Sequence, residues 1–280
     1  MNTQKDTIVD RRHGKPIAID SYFPEGQENH PIIVFAHGFK GFKDWGHWGL
    51  IAKAFARAGF IFIKFNFSHN GTTPEQTMDF ADLEAFGNNN YTKELADIDG
   101  VLNWVEKQSW ASPQIGLIGH SRGGGIGTIK AANDLRIKAL ATWASVSHLD
   151  YSWRGQPDLL EKWKTDGVRY NMNGRTKQNM PLYYQLFEDF EANSDLLTIE
   201  KALQKRPELD FLIVHGTEDP AVPFFAAKQL HGWHPDSTLY AVQNADHVFG
   251  GSHPYTDAQL PAHAEELVEV SLRFFAKALL

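Results

Sequence analysis

The sequence predicts an α/β fold, in which a mostly parallel sheet is covered by helices on both faces. The first observation is that short apolar segments alternate with segments of helical periodicity along the 280 residues. The second is that the apolar segments are rich in the residues of strands buried on both faces. Buried strands that alternate with helices are typical of parallel pairing through helical crossovers.

Six strands and four helices follow from this pattern. The predicted strands cover residues 31–36, 60–67, 115–118, 137–143, 211–214 and 238–242. The predicted helices lie near residues 48–58, 95–105, 126–132 and 260–279. Ligands of such sheets bind beyond the carboxyl ends of the strands, so we expect the functional residues there.

Residues 147–207 interrupt the alternation. This segment is rich in Trp, Tyr, Met and Asn, has a helical pattern and shows no clear strand. We predict that it is a helical cap inserted into a core formed by residues 1–146 and 208–280. The alternative is a set of ordinary surface helices.

Composition and charge restrict the function. A formal net charge of −7 argues against nucleic-acid binding, and the absence of cysteine excludes disulfides, thiol catalysis and cysteine-ligated zinc. The first ten residues lack the apolar core of a signal peptide, and no apolar run approaches the ~20 residues of a membrane span. We therefore expect a cytoplasmic protein without a membrane or nucleic-acid partner.

The pentapeptide Gly119-His120-Ser121-Arg122-Gly123 is the strongest chemical signal. It lies between a predicted strand and a helix that begins with glycines, which is the setting that a nucleophile elbow requires. The glycines allow the strand and the helix to approach closely, while the serine takes a strained backbone. Ser121 is therefore the candidate nucleophile. A glycine-rich packing turn is the alternative, whereas nucleotide-binding patterns do not fit.

A second signal is His37-Gly38-Phe39, at the end of the first predicted strand. Gly38 allows the backbone to turn its amides toward Ser121. We predict that the amides of Phe39 and Arg122 form an oxyanion hole, and that His37 holds the loop. The alternative is an ordinary turn at a strand end.

The acid and the base are expected after the last two strands. Asp219 follows residues 211–214 and precedes a proline turn, with Asp150 as the alternative acid. His247 follows the final strand, and His253 is its nearest competitor among 13 histidines. The absence of an H-E-x-x-H pattern makes a catalytic metal unexpected.

Four motifs in this order resemble the α/β-hydrolases. They are HGF at 37–39, GHSRGG at 119–124, HGTEDPAVP at 215–223 and ADH at 245–247. The resemblance covers most of the chain outside the predicted cap. It implies the α/β-hydrolase fold, with an eight-stranded, mostly parallel sheet, and hydrolysis through an acyl-enzyme without a cofactor. Esterases related to serine aminopeptidases and dienelactone hydrolases are the most similar in character. The loop at 68–72 departs from the Arg-Gly-x-Gly of many relatives.

The expected function is a serine carboxylesterase for small to medium acyl or aromatic esters. Because a lid over a catalytic serine has an apolar underside, we predict that Tyr183 and Phe187 contact the substrate. One alternative is an aminopeptidase-like peptidase, in which acidic cap residues such as Glu188 and Asp189 bind the substrate ammonium. A non-catalytic binding protein of the same fold is a second alternative, although no member of the expected triad is missing.

Overall fold

An eight-stranded sheet is the centre of the structure. The computed structural model describes residues 2–9, 14–26 and 30–280. Strands are numbered in chain order: β1 (Asn2–Val9), β2 (Ile17–Phe23), β3 (Ile32–Ala36), β4 (Ile61–Phe65), β5 (Ile115–His120), β6 (Ile137–Trp143), β7 (Val168–Met172), β8 (Asn179–Tyr183), β9 (Asp210–Gly216) and β10 (Thr238–Val242). Helices are α1 (Trp48–Arg57), α2 (Leu83–Gly87), α3 (Tyr91–Val105), α4 (Arg122–Asn133), α5 (Pro157–Asp166), α6 (Gln185–Ala192), α7 (Ile199–Lys205), α8 (Phe225–Trp233) and α9 (Ala262–Leu279).

The large sheet is parallel except at one edge. Its strand order is β1-β2-β4-β3-β5-β6-β9-β10. Strand β2 pairs antiparallel with both β1 and β4, whereas the pairs from β4 through β10 are parallel. The predicted fold class, a mostly parallel eight-stranded sheet with flanking helices, is therefore confirmed.

Helices cover both faces of the sheet. Successive side chains of β3 therefore enter two different core clusters, one on each face. Val34 lies in the core cluster that α3 contributes to, whereas Phe35 lies in the other cluster with Phe55 of α1 and Phe275 of α9. Complete burial of such a side chain contributes about 1.5–3 kcal/mol. Within the described ranges, no helix combines the length and the apolar character needed to cross a bilayer.

The sequence pattern did not predict the two antiparallel strands at the edge, although β2 buries Ile17, Ile19 and Tyr22. Strand β1 is largely polar and exposed, and β2 carries the buried Asp20 and Ser21. Asp20 Oδ1 accepts a hydrogen bond of 2.8 Å from the Lys43 ammonium, which is also buried. The buried Asp20 therefore interrupts the apolar residues of β2, which makes the strand hard to recognise from the sequence.

Residues 147–207 are not purely helical, so that part of the prediction was wrong. They contain α5, α6 and α7, but also an antiparallel pair formed by β7 and β8. The pair was missed because β7 alternates weakly and is mostly exposed, and because β8 contains Pro181. Proline is tolerated in edge strands, since an edge leaves some backbone amides without a ladder partner. Helix α7 packs against α4 of the core.

Candidate active site

Ser121 occupies a strained turn between β5 and α4. Its backbone has φ 55° and ψ −121°, a conformation that costs a non-glycine residue on the order of 1–3 kcal/mol. A Cβ on Gly119 would lie 2.3 Å from the Gly123 carbonyl oxygen, and one on Gly123 would lie 2.4 Å from the Ala36 carbonyl oxygen. Both glycines are therefore required for the close approach of strand and helix. The turn places Ser121 at the positive end of α4.

The loop after β3 lies directly against Ser121. A Cβ on Gly38 would be 2.8 Å from the Cβ of Ser121, so nothing larger than glycine fits without displacement. Among the residues that the structure describes, the amides of Phe39 and Arg122 donate to no protein acceptor. These two amides lie in the loop next to Ser121 and in the residue that follows it, and both are left without a protein acceptor in the described chain.

His37 is part of the support of this loop. Its Nδ1 lies 2.9 Å from the Gly38 carbonyl oxygen, and its Nε2 accepts from the Phe67 amide at 3.3 Å. The side-chain amide of Asn70, from the loop that departs from the family pattern, donates to the Gly41 carbonyl at 3.2 Å. Burial lowers the pKa of His37 to about 4, so the ring is neutral and Nδ1–H is the donor.

Asp219 and His247 form a hydrogen-bonded pair. Asp219 Oδ2 lies 2.7 Å from His247 Nδ1, and Oδ1 accepts from the amides of Ala221 and Val222, both at 2.8 Å. Burial opposes ionisation of this carboxyl group, but hydrogen bonds from His215, His247 and the Val222 amide hold its pKa well below the ordinary range. The carboxylate therefore fixes the His247 tautomer that carries its hydrogen on Nδ1.

Sequence reasoning did not identify two further histidines that support this pair. His120 Nε2 lies 2.9 Å from the backbone carbonyl of His247, and the two rings pack with centroids 4.8 Å apart. Burial and the neighbouring His247 lower the pKa of His120 to about 3, so neutral His120 donates this bond. His215 Nε2 lies 2.8 Å from the Val222 carbonyl and 3.3 Å from Asp219 Oδ2. The sequence could have indicated both roles, because His120 directly precedes Ser121 and His215 lies at the end of β9.

Asp150 and His253, the alternative acid and base, have partners other than Ser121 and His247. Asp150 Oδ1 accepts from Arg154 Nε at 3.0 Å. His253 Nδ1 accepts from the Gly46 amide at 2.9 Å. Neither residue lines the cavity that contains Ser121 and His247.

A cavity of about 730 Å³ is lined by Ser121 and His247, by other residues of the core and by part of the segment 147–207. The core contributes Phe39, Arg122, Val222 and Phe225, among others. The segment 147–207 contributes residues on its loops and hairpin, including Tyr151, Arg169, Asn171 and Leu182. Its size and mixed lining suit a small-molecule substrate.

Tyr183 and Phe187, the predicted substrate contacts, do not line this cavity. The Tyr183 hydroxyl donates to Glu84 at 2.5 Å, and its ring packs on Gly87. The Phe187 ring lies 5.2 Å from that of Tyr184 in an aromatic cluster of the same segment. Side chains of successive strand residues point to opposite faces of the hairpin. Leu182 therefore faces the cavity, and the neighbouring Tyr183 points away from it.

One group of carboxylates in the described chain lies close enough together to hold a metal ion: Asp6, Asp20 and Asp44. The Lys43 ammonium lies 2.7 Å from Asp6 and 2.8 Å from Asp20, and Lys64 lies 2.9 Å from Asp20. The buried Lys43 and Lys64 ammonium groups and the exposed Lys5 ammonium, 3.8 Å from Asp44, together balance the charge of the three carboxylates. The cluster is better suited to joining β2 and β4 than to binding a cation.

Comparison with known proteins identifies the family of the chain. A model of the X-Pro dipeptidyl-peptidase (S15) family matches residues 13–220, which include Ser121 and Asp219. An uncharacterised 31.7 kDa protein of Escherichia coli, from the traX-finO intergenic region, is 28% identical over 238 residues, which are 84% of this chain and 77% of that protein.

Solved structures show the same fold at low sequence identity. Est1E from Butyrivibrio proteoclasticus superposes with a TM-score of 0.72 and 16% identity, covering 98% of this chain and 99% of that one. Its structure with bound ferulic acid gives a TM-score of 0.72 and 18% identity over 97% of this chain and 98% of that one. The chain thus belongs to the X-Pro dipeptidyl-peptidase (S15) family and is a hydrolase of the α/β-hydrolase fold.

Proposed function

We propose that the protein is a serine carboxylesterase in which Ser121 is the nucleophile, His247 the general base and Asp219 the acid that orients the base. The observation that carries the proposal is the 2.7 Å Asp219–His247 hydrogen bond beside a cavity that Ser121 also lines. Because Nδ1 of His247 is held by Asp219, Nε2 is the nitrogen left to exchange a proton with the serine hydroxyl.

The reaction would proceed through an acyl-enzyme. Ser121 attacks the ester carbonyl while His247 takes its proton, and the Phe39 and Arg122 amides bind the developing oxyanion, at about 3–4 kcal/mol per donor. His247 then protonates the leaving alcohol and activates the water that releases the acid. The described structure contains no hydrogen bond between Ser121 and His247, and such bonds are often long before substrate binds.

The surroundings of His247 support its role as a base. Asp219 Oδ1 is fixed by two backbone amides, which leaves Oδ2 for the imidazole. His120 donates to the His247 carbonyl and so restrains the backbone of the loop that carries the base. Both contacts limit rotation of the imidazole, which reduces the entropy lost in reaching the reactive geometry.

We also propose that residues 147–207 act as a cap over the catalytic serine. Tyr151, Arg169 and Leu182 of this segment line the same cavity as Ser121. A wall built from the segment would restrict the size of the acyl or alcohol group. The expected substrates are therefore small to medium acyl esters or aromatic esters.

An aminopeptidase-like peptidase is the second candidate, because the family takes its description from a peptidase. A carboxylate nearby stabilises the charged form of a substrate ammonium. No Asp or Glu of the described residues lines the cavity, and Asp189 instead accepts from the amide and hydroxyl of Thr92. This difference favours esters, and the ferulic acid bound by Est1E makes aromatic acyl esters the first to test.

A substrate panel separates the two candidates. Turnover is measured for p-nitrophenyl acetate and butyrate, methyl ferulate, and Gly-Pro p-nitroanilide, with Ser121→Ala protein prepared in parallel to expose contaminating activity. We expect kcat/KM for the esters to exceed that for the anilide, with all ester turnover lost in Ser121→Ala. Efficient cleavage of the anilide together with negligible ester hydrolysis would show that the protein is a peptidase instead.

A further inference from the structure

The charged residues of the catalytic cavity are all basic. Lys40, Arg122, Arg154 and Arg169 line it, and no carboxylate from the part of the chain that the structure describes does so. The chain as a whole has a formal net charge of −7. The positive lining is therefore a local feature of the cavity and does not follow from composition.

Two of the four cations have carboxylate partners, and two do not. Arg154 pairs with Asp150 at 3.0 Å, and Arg122 Nη1 lies 3.5 Å from Glu94. Lys40 and Arg169 have no carboxylate within ion-pair distance among residues 2–9, 14–26 and 30–280. A cation without a counter-ion in a partly enclosed cavity binds an anion more strongly than one on the open surface.

Lys40 and Arg169 also retain unused donors. Lys40 Nζ donates to Asn171 Oδ1 at 2.7 Å and to the Met172 carbonyl at 3.2 Å, which leaves one of its three hydrogens. Arg169 donates from Nη1 and Nη2 to Ser152, at 3.0 Å and 2.5 Å, which leaves one hydrogen on each of these two nitrogens; its Nε is buried and has no hydrogen-bond partner in the described chain. Stacking on Trp163, 4.3 Å from ring centroid to guanidinium carbon, holds the Arg169 head in place.

Tyr151 adds a neutral donor. Its hydroxyl oxygen accepts from Nε and Nη2 of Arg122 at 3.3 Å and 3.1 Å. Since the oxygen is the acceptor in both bonds, the phenolic hydrogen remains for a third group, and the described chain offers it no acceptor. The cavity thus presents two cationic heads and one hydroxyl without an anion to receive their hydrogens.

Repulsion among the cations of the cavity also favours the binding of an anion there. Burial, and then the charge of Arg122, lowers the pKa of Lys40. Burial also lowers the pKa of Arg169, where the charge of Arg122 acts in the same direction against Tyr91 and Tyr151. Like charges held close together disfavour one another, and a bound anion would offset that repulsion.

We propose that the cavity selects esters that carry a carboxylate in addition to the scissile ester, and that Lys40, Arg169 and the Tyr151 hydroxyl bind that carboxylate. This inference rests on the proposed esterase function and narrows its substrate class to acidic esters. Both side chains bind carboxylates through charge-assisted hydrogen bonds, for which Lys40 keeps one hydrogen and Arg169 keeps one on each of Nη1 and Nη2.

Two matched substrate pairs test the inference. Monomethyl adipate and dimethyl adipate differ by a charge on the acyl side, and 4-acetoxybenzoate and its methyl ester differ by a charge on the alcohol side. We measure the ratio of kcat/KM for the charged and the neutral member of each pair. We expect the charged member to be preferred in at least one pair. Preference for the neutral member in both pairs would overturn the inference.

Variants then assign the preference to residues. Arg169→Met and Lys40→Met should each lower the charged-to-neutral ratio by about tenfold, as expected for loss of a charge-assisted hydrogen bond. Lys162→Met removes the same charge from an exposed helical site in the same segment, paired with Asp166, and should leave the ratio unchanged. An unchanged ratio in both cavity variants would contradict the assignment. Absence of any Ser121-dependent ester turnover would instead refute the esterase proposal itself.

Discussion

Asp219 Oδ2 lies 2.7 Å from His247 Nδ1, although 28 residues separate the two along the chain. The contact exists because β9 and β10 are neighbouring parallel strands, so the loops that follow them leave the sheet at the same edge. Gly216 permits this crossing, since a Cβ there would lie 2.2 Å from the Ala245 carbonyl oxygen. The sheet therefore places acid and base together before any side chain is considered.

The first prediction concerns the choice of acid. Asp219→Asn should lower kcat for p-nitrophenyl butyrate by roughly 10⁴, because an amide favours the wrong tautomer of His247. Asp150→Asn, which changes only the partner of Arg154, should have a small effect on this neutral ester. Steady-state kinetics of the two purified variants make the comparison. The opposite ranking would mean that Asp150 orients the base.

The second prediction concerns the oxyanion hole. Gly38→Ala should lower kcat by about 10²–10³, because the added methyl group would meet Ser121 at 2.8 Å and displace the Phe39 amide. Gly232→Ala is the matched control, since its Cβ would meet no atom within 4 Å. Both are assayed with the same ester after circular dichroism confirms folding. Equal activity of the two variants would remove the β3 loop from the mechanism.

The third prediction concerns stability and pH. Burial lowers the pKa of His37 to about 4, and burial together with His247 lowers that of His120 to about 3, whereas unfolded histidine titrates near ~6.5. Between these values the unfolded chain binds more protons than the folded chain. The stability linked to these rings is therefore complete above pH ~6.5 and falls as the pH drops toward 4, by roughly 1–2 kcal/mol per ring at pH ~5.

Urea unfolding at several pH values measures this effect. The free energy of unfolding of the wild type should decrease on acidification below neutral pH. His37→Asn, which keeps a donor and an acceptor but does not titrate, should show a shallower decrease. Parallel curves for the two proteins would count against a neutral, buried His37.

The fourth prediction concerns the size of the acyl group. Phe225 lines the cavity and is 65% exposed, so a substrate can cover it. Phe225→Ala should shift the chain-length optimum of a p-nitrophenyl ester series, with each methylene contributing ~1–3 kcal/mol. Tyr183→Ala, outside the cavity, should leave the profile unchanged. A shift caused only by Tyr183→Ala would restore the sequence-based expectation for that residue.

Most of the core and the triad candidates could be predicted because they depend on local patterns. Apolar runs show the buried parallel strands, and the glycines around Ser121 are needed wherever that turn forms. By contrast, β1 is largely exposed and is held by pairing, and the buried Asp20–Lys43 ion pair interrupts the apolar pattern of β2. In such edge strands, the packing of neighbouring elements decides which residues are buried, and the sequence of the strand alone does not show it.

The cavity lining could not be predicted for the same reason. The sequence shows that residues 147–207 are rich in aromatics, but the β7–β8 hairpin decides which side chains face Ser121. It turns Leu182 and Arg169 toward the cavity, while Tyr183 packs on Gly87. A shift of one residue in such a pair exchanges the two faces, so composition alone does not identify the substrate contacts.

Covalent labelling tests the central claim most directly. The wild type is treated with a fluorophosphonate, analysed by intact and peptide mass spectrometry, and assayed for residual hydrolysis of p-nitrophenyl butyrate. We predict a single adduct on Ser121 with complete loss of turnover, and no adduct on Ser121→Ala, whose kcat should be lower by on the order of 10⁶. An adduct on another residue, or wild-type hydrolysis by Ser121→Ala, would contradict the account.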